Sequence, residues 1–161
     1  MGANAPKVSC SGWERDCMVS MKIVSKSGKM PVYATEGSAG FDISAFLPDG
    51  PMTLKAGARA LVPTGLFFEV PEGFEAQVRA RSGLAIKHGI GLVNGIGTVD
   101  SDYRGEIRVP MINWSDEDFT INDGDRIAQV IITSYEKVDI EIVDSLSETE
   151  RGEGGFGHTG I

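Results

Sequence analysis

Histidine and cysteine are scarce in this sequence, with two of each among 161 residues. Cys10 and Cys17 both lie near the N-terminus, and no histidine or second cysteine pair stands close enough to complete a zinc ligand set. We therefore interpret both as incidental thiols in a reducing compartment. His88 and His158 have no partner in the sequence, so a metal site is the weaker interpretation of either.

Positive charge and long apolar runs are also lacking. Fifteen lysines and arginines stand against 23 aspartates and glutamates, a net charge of −8, whereas a nucleic-acid binder needs a basic surface that releases counterions. No run approaches the roughly 18 apolar residues that cross a bilayer, and the first twenty residues lack an apolar signal core. We expect a cytoplasmic protein that binds neither nucleic acid nor membrane and holds a small ligand in a pocket.

Short alternating segments make up most of the remaining chain. From Met21 onward apolar and polar residues alternate with period two, and 21 glycines supply turns between the segments. The segments predicted as strands, each with one buried and one wet face, are 22–24, 61–62, 66–70, 74–78, 107–111 and 138–142. Many short strands with frequent turns predict an all-β fold, an antiparallel barrel or jelly roll.

One stretch looks helical. Ser82 is predicted to cap its start, Lys87 and His88 suit its last turn, and Gly89 can end it. The predicted organisation has three parts, namely an N-terminal extension over 1–20, a β-barrel domain over 21–145 and a glycine-rich C-terminal arm over 146–161.

The start of this helix is the first segment that could carry chemistry. Arg81, Ser82 and Gly83 lie where helical N–H groups have no intrahelical partner, which favours an anion. The alternative is that Ser82 merely caps the helix and Arg81 is solvated.

The segment 94–106 is the second. Its glycines predict a hairpin whose inner face could hold a planar ring and its sugar, and Asp100 could serve there as a partly buried general base. The alternative is an ordinary turn, since Asp and Asn favour turns anyway.

Two further segments are polar. In 123–131, strand alternation puts Arg126 and Ala128 on one face and Ile127 and Gln129 on the other, and a lone arginine beside carboxylates is more often an ion pair than a ligand contact. The tail 151–160 has five glycines in ten residues, so its amides could wrap a phosphate while its one phenylalanine stacks on a base. The alternative for the tail is a disordered terminus.

Together and in this order, these segments resemble the five motifs of the trimeric dUTPase family. The matching stretches are AGFDI at 39–43, RSGLA at 81–85, GTVDSDYRGE at 97–106, GDRIAQ at 124–129 and the glycine tail. Five ordered motifs are far more specific than one glycine pattern, and the resemblance covers about 21–161.

The resemblance implies a jelly-roll-like antiparallel β-barrel with one short helix. It also implies a homotrimer in which several subunits build each active site and the C-terminal arm of one chain closes over another. The implied reaction is hydrolysis of dUTP to dUMP and pyrophosphate with Mg²⁺, which keeps uracil out of DNA and supplies dUMP for thymidylate synthesis. Two alternatives stay open, a dCTP deaminase or bifunctional relative and a regulatory protein that binds dUTP.

The resemblance also implies residue roles. Asp100 would activate the water that attacks the α-phosphorus, Tyr103 would pack against the deoxyribose, and Asn94 with nearby backbone would read the uracil edge. Magnesium would bind mainly to phosphate oxygens and waters, with Asp42 reaching it at most through water.

The remaining roles concern the phosphates and the arm. The implied catalytic residues are Asp100 and Arg151. The implied substrate-binding residues are Arg81, Ser82, Gly83, Asn94, Gly97, Thr98, Val99, Tyr103, Gln129, Phe156, Gly157, His158 and Thr159. His158 stands where the family usually has serine.

Overall fold

The structure is a computed structural model that describes residues 19–155. Ten strands and one short helix lie in this range, and every strand pair is antiparallel. The elements are β1 (Lys22–Ser25), β2 (Phe41–Ser44), β3 (Met52–Leu54), β4 (Arg59–Glu69), β5 (Phe74–Ala80), α1 (Ser82–His88), β6 (Ile90–Leu92), β7 (Ile96–Val99), β8 (Glu106–Asn113), β9 (Phe119–Ile121) and β10 (Arg126–Ser134).

Two four-stranded sheets make up most of this fold. Sheet A has the order β1-β4-β8-β6, sheet B has the order β2-β10-β5-β7, and β3 pairs with β9 in a small third sheet. Buried side chains from both large sheets form one apolar core, which includes Phe41 and Val130 from sheet B and Phe68 and Val109 from sheet A. Within residues 19–155, no helix has the length and apolar character needed to cross a membrane.

Several local predictions are confirmed. Along β8, Ile107, Val109 and Met111 are buried while Arg108 is exposed, as period two requires. The helix ends at Gly89, whose φ of 65° lies in the left-handed region. The prediction that Ser82 caps the helix is wrong. Arg81 occupies the N-cap position with extended backbone angles, and Ser82 is the first helical residue.

The two predicted strands 61–62 and 66–70 are one continuous strand, β4. The ladder between β4 and β8 shifts register between Pro63 and Phe67 without ending. The Thr64 hydroxyl donates a hydrogen bond of 2.5 Å to the Ile107 carbonyl, and Gly65 has a φ of 64°. These features bend the chain locally, so a proline and a glycine that predicted a turn instead mark a bulge.

Two predictions about strand geometry are wrong for a similar reason. The segment 94–106 is not a paired hairpin, because β7 pairs with β5 in sheet B whereas β8 pairs with β4 and β6 in sheet A. In β10, a register shift between Arg126 and Ala128 interrupts the alternation, and Ile127 and Ala128 are both buried. In each case tertiary pairing overrides the local pattern.

The alternating segment 138–142 is not a strand with a buried face. It belongs to the irregular stretch after β10, and Val138, Ile140 and Ile142 are 76%, 89% and 97% exposed. The pattern is that of a strand, but no neighbouring strand lies beside it in the described chain.

Candidate active site

A cavity of about 540 Å³ lies beside the turn between β6 and β7. It brings together six of the predicted site residues, namely Asn94, Gly97, Thr98, Val99, Asp100 and Tyr103. The apolar side chains of Leu61, Val78 and Ile107 also line it. A largely apolar hollow with a few polar groups is the usual form of a site for a planar ring and its sugar.

Asp100 lies at the rim of this cavity, directly after the end of β7. Strand β7 pairs with β5 as far as Val99, which is opposite Ala76, so Asp100 is the first residue beyond the paired strand. The side chain is exposed, so the prediction of a partly buried base is wrong for the single chain.

Tyr103 and Glu106 also line the cavity. The Tyr103 hydroxyl donates a hydrogen bond of 3.2 Å to the Glu106 carbonyl oxygen. The Glu106 carboxylate accepts hydrogen bonds from the Gly65 N–H at 2.9 Å and from Arg108 Nε at 3.0 Å. Burial by itself raises the pKa of Glu106, but the Gly65 and Arg108 donors outweigh burial and hold that pKa below its ordinary value of 4.5.

A second cluster of polar residues surrounds the start of α1. Asp42 Oδ1 accepts a hydrogen bond from Arg81 Nε at 3.1 Å, and Asp42 Oδ2 accepts one from Arg126 Nη1 at 3.0 Å. Arg81 Nη1 also donates to the Arg126 carbonyl oxygen at 3.0 Å. The carboxylate therefore holds two guanidinium groups at the mouth of the helix, as the ion-pair alternative for Arg126 predicted.

The first turn of α1 adds backbone donors to this cluster. The intrahelical bonds begin with the N–H groups of Leu84 and Ala85, both donated to the Arg81 carbonyl, so the N–H groups of Ser82 and Gly83 precede them. Gln129 Nε2 donates to the Ala80 carbonyl at 3.0 Å, which fixes the amide next to the helix. An amide nitrogen carries two N–H groups, so this bond occupies one of two.

Asp100 and Arg81 lie beyond opposite ends of strand β5. In the register of β5 with β7, Ala76 is opposite Val99 and Arg79 is opposite Ile96. Asp100 therefore lies beyond one end of this ladder and Arg81 beyond the other, about six residues or roughly 20 Å apart along the strand. One chain by itself does not bring these two predicted site residues together.

The described part of the tail forms a local turn around Arg151. Arg151 is exposed, and its Nε donates to the Gly154 carbonyl at 2.7 Å in a local turn. The predicted site residues Phe156, Gly157, His158 and Thr159 lie outside the described residues, as do 1–18 of the predicted N-terminal extension.

Glu106, Arg108 and Leu61 line the cavity, although none was among the predicted site residues. The spacing of Glu106 and Arg108 was a usable signal, since residues two apart on a strand share a face. Leu61 reaches the cavity through the β4–β8 ladder, where it is paired with Pro110, and sequence alone gave no sign of that pairing.

Comparison with known proteins decides the family. A family model described as dUTPase matches residues 26–160, which is most of the chain. The chain belongs to the dUTPase family. A deoxyuridine 5'-triphosphate nucleotidohydrolase of Finegoldia magna is 51% identical over 143 residues, covering 88% of this chain and 99% of the relative. The resemblance of the five motifs is thereby confirmed.

Solved structures share the fold. The dUTPase of Staphylococcus bacteriophage 80alpha with dUPNHPP has a TM-score of 0.78 at 24% identity, covering 88% of this chain and 99% of that one. A mutant dUTPase from phage phi11 of S. aureus, which coordinates a structural Mg(II) ion, has a TM-score of 0.71 at 19% identity, covering 80% and 99%. The predicted jelly-roll-like all-β fold is confirmed.

dUTPases generally use Mg²⁺, and the donors of this chain limit how such an ion could bind. Residues 19–155 contain no group of three or more histidine, cysteine, aspartate or glutamate side chains arranged to hold a metal. Both Asp42 oxygens already accept guanidinium hydrogen bonds. The residues present therefore fit a Mg²⁺ ion that takes most of its oxygen ligands from a phosphate chain and from water, because Mg²⁺ dehydrates reluctantly and keeps several waters.

The Glu106 hydrogen bonds predict a pH-dependent stability. A carboxyl with a lowered pKa in the folded chain stabilises that chain above its unfolded pKa, and the contribution is lost as the pH falls through the folded value. Glu106→Gln should therefore be less stable than wild type at neutral pH, and the difference should shrink as the pH falls below 4.5. Urea unfolding at several pH values checks this, and a difference that stays constant down to pH 3 would contradict it.

Proposed function

We propose that this chain hydrolyses dUTP to dUMP and pyrophosphate, in active sites shared between subunits of a homotrimer. The observation that carries the proposal is the cavity in which Asn94, Asp100 and Tyr103 meet, in a chain that belongs to the dUTPase family. The relative from Finegoldia magna is a deoxyuridine 5'-triphosphate nucleotidohydrolase, so a dCTP deaminase is not favoured.

In this proposal the cavity holds the nucleoside. Asn94 and the backbone of 95–99 bond to the uracil edge, and a close fit of these groups around uracil would reject a base with an extra methyl or an amino group. Tyr103 packs against the deoxyribose and leaves no room for a 2′-hydroxyl. The hydrogen bond of Tyr103 to Glu106 supports this role, because it fixes the ring against β8.

The cluster at α1 would hold the phosphate chain. The N–H groups of Ser82 and Gly83, the second N–H of Gln129 and the guanidinium of Arg81 all suit phosphate oxygens. Arg81 has five N–H donors, so its bonds to Asp42 and to the Arg126 carbonyl leave others for the ligand. These donors would neutralise charge that builds on the pyrophosphate leaving group.

Asp100 would act as the general base. A carboxylate is ionised at neutral pH, and it can accept the proton of the water that attacks the α-phosphorus. Bound magnesium would supply positive charge against the phosphate oxygens, with Asp42 in reach of it only through water. Arg151, Phe156, Gly157, His158 and Thr159 would then close over the nucleotide as part of the arm 146–161 and exclude other waters.

The separation of Asp100 from Arg81 is the reason for placing the site between subunits. A nucleotide that contacts Asp100 and Arg81 at once must bridge roughly 20 Å within one chain, measured along β5. If the phosphate cluster of a second subunit lies against the nucleoside cavity of the first, both contact one bent nucleotide. The same packing would cover the exposed carboxylate of Asp100.

Self-association is supported by a second feature, the irregular segment after β10. Its exposed Val138, Ile140 and Ile142 alternate with Asp139 and Glu141, as in a strand that lacks a neighbour. The outer strand β1 of sheet A offers an edge of opposite character, with the exposed apolar Val24 between Lys22 and Lys26. Burying an exposed Val or Ile side chain contributes about 1.5–3 kcal/mol, so this segment would gain from packing against another copy.

Substituting the proposed base tests the chemistry. Asp100→Asn should lower kcat for dUTP by about 100- to 10,000-fold, the usual range for a lost general base, with little change in affinity for a non-hydrolysable dUTP analogue. Pyrophosphate release measures the rate. Asp116→Asn, a change in the exposed loop after β8, should keep the wild-type rate. Hydrolysis at full rate by Asp100→Asn would exclude Asp100 as the base.

Mixing two inactive variants tests the shared site. Asp100→Asn and Arg81→Ala should each be inactive alone. When the two are refolded together at equal concentration, about a quarter of the sites in random trimers should contain both native residues and regain activity. A mixture of Asp100→Asn with the double variant should regain no activity, because no subunit in that mixture carries a native Asp100. Failure of the first mixture, with mixed trimers verified by mass, would place both residues in one subunit's site.

Removing the arm tests closure. A chain that ends at residue 150 should lose on the order of 100-fold or more in kcat/KM for dUTP, because the phosphates are no longer enclosed and positioned. Its oligomeric mass in light scattering should match that of the full chain, since the strands end at Ser134. Unchanged turnover in the shortened chain would refute the proposal that the arm closes over the nucleotide.

A further inference from the structure

Gly105 lies where a side chain would collide with Tyr103. An ideal Cβ built on Gly105 would lie 2.5 Å from Cζ and 2.9 Å from Cε2 of the Tyr103 ring, with the hydroxyl oxygen nearer still. Carbon atoms in contact stay about 3.5–4 Å apart, so the ring and a methyl group at this position exclude each other. The φ of Gly105 is outside the left-handed region that favours glycine. Space, and not backbone conformation, is what requires glycine here.

A hydrogen bond also fixes this hydroxyl end of the ring. The Tyr103 hydroxyl donates to the Glu106 carbonyl, and the Glu106 carboxylate is itself held by the Gly65 N–H and by Arg108. Glu106 is the first residue of β8, opposite Phe67 of β4, so the acceptor belongs to the sheet and not to a loose loop. Tyr103 nevertheless remains 46% exposed and lines the 540 Å³ cavity. The hydroxyl end of the ring occupies the space that a side chain at Gly105 would take, while the ring borders the space for a ligand.

We propose that Gly105 is a specificity-determining position, because its missing side chain seats the Tyr103 ring at the depth that admits deoxyribose and excludes ribose. This inference rests on the proposed function, since it takes a uridine nucleotide as the occupant of the cavity. Gly105 does not contact the sugar and acts through Tyr103, as a positioning residue.

A methyl group at position 105 shifts the ring by about 1 Å, the difference between the built and the ordinary contact distance. A ring that moves into the cavity takes space from the deoxyribose and weakens dUTP most, because UTP was already excluded. A ring that moves away makes room for the 2′-hydroxyl and admits UTP. Either movement lowers the ratio of kcat/KM for dUTP to that for UTP, because specificity is a difference between two affinities.

The experiment measures kcat/KM with dUTP and with UTP for the full-length wild type, Gly105→Ala, Tyr103→Ala and the double variant. Gly105→Ala should lower the dUTP to UTP ratio by at least about tenfold. The double variant should have the ratio of Tyr103→Ala alone, since residues in direct contact are not additive. Gly37→Ala is the matched control, because no atom of the described chain lies within 4 Å of a Cβ there and its φ is not left-handed.

A ratio in Gly105→Ala that equals the wild-type ratio would overturn the inference, even if both rates fell, because a general folding defect lowers both rates together. Stability gives a second readout if Gly105→Ala folds poorly. Removing the ring removes the collision, so the double variant should have the same Tm as Tyr103→Ala. A Tm of the double variant below that of Tyr103→Ala would overturn the inference that Gly105 positions the Tyr103 ring. A wild type that hydrolyses neither nucleotide would refute the proposed function instead, and the Tm comparison would still decide whether Gly105 seats Tyr103.

Discussion

Strand β5 is hydrogen-bonded on both sides, to β7 and to β10, and this pairing sets the positions of both polar clusters. Its ladder with β7 places Asp100 beyond the Ala76 end, while the cavity lining continues along β7 to Gly97, opposite Val78, and to Asn94. Its ladder with β10 runs from Ser134 opposite Phe74 to Ala128 opposite Ala80, so Gln129 arrives beside the start of α1. A shift of one residue in either ladder would turn alternate side chains to the opposite face and separate each cluster from its backbone partners. The geometry of the site is therefore a consequence of strand register before it is a matter of individual side chains.

The cluster of Asp42, Arg81 and Arg126 at the start of α1 places positive charge locally in a chain whose net charge is −8. Asp42 is about one-quarter exposed and holds Arg81, which is exposed to a similar degree, while its second arginine, Arg126, is 59% exposed. An exposed ion pair contributes at most about 1 kcal/mol. The two acceptors hold the Arg81 guanidinium in one orientation, and its remaining N–H groups can still donate to an anion. Asp42 is thus better understood as the group that orients Arg81 than as a source of stability.

Much of the fold could be predicted because its signals are local. Alternation along β8, the helix end at Gly89 and five ordered motifs all lie within short stretches of sequence. The errors arose where a distant partner decides. Thr64 bonds to Ile107 and makes β4 continuous, and β6 and β7 join different sheets. The site was predicted in the same way: the sequence named six of the twelve residues that line the cavity, but the distance between Asp100 and Arg81 depends on the β5 register, which no motif contains.

The segment after β10 shows why a correct pattern can still give a wrong structure for one chain. Its alternation of apolar and acidic residues is what a strand edge requires, yet Ile140 and Ile142 are almost fully exposed. Apolar surface of this kind favours association. If a neighbouring copy supplies the missing strand, the segment is a strand as its pattern predicts, and its pairing partner lies in another subunit. The same reasoning applies to the exposed base and the distant arginine, so one act of assembly would complete both the fold and the active site.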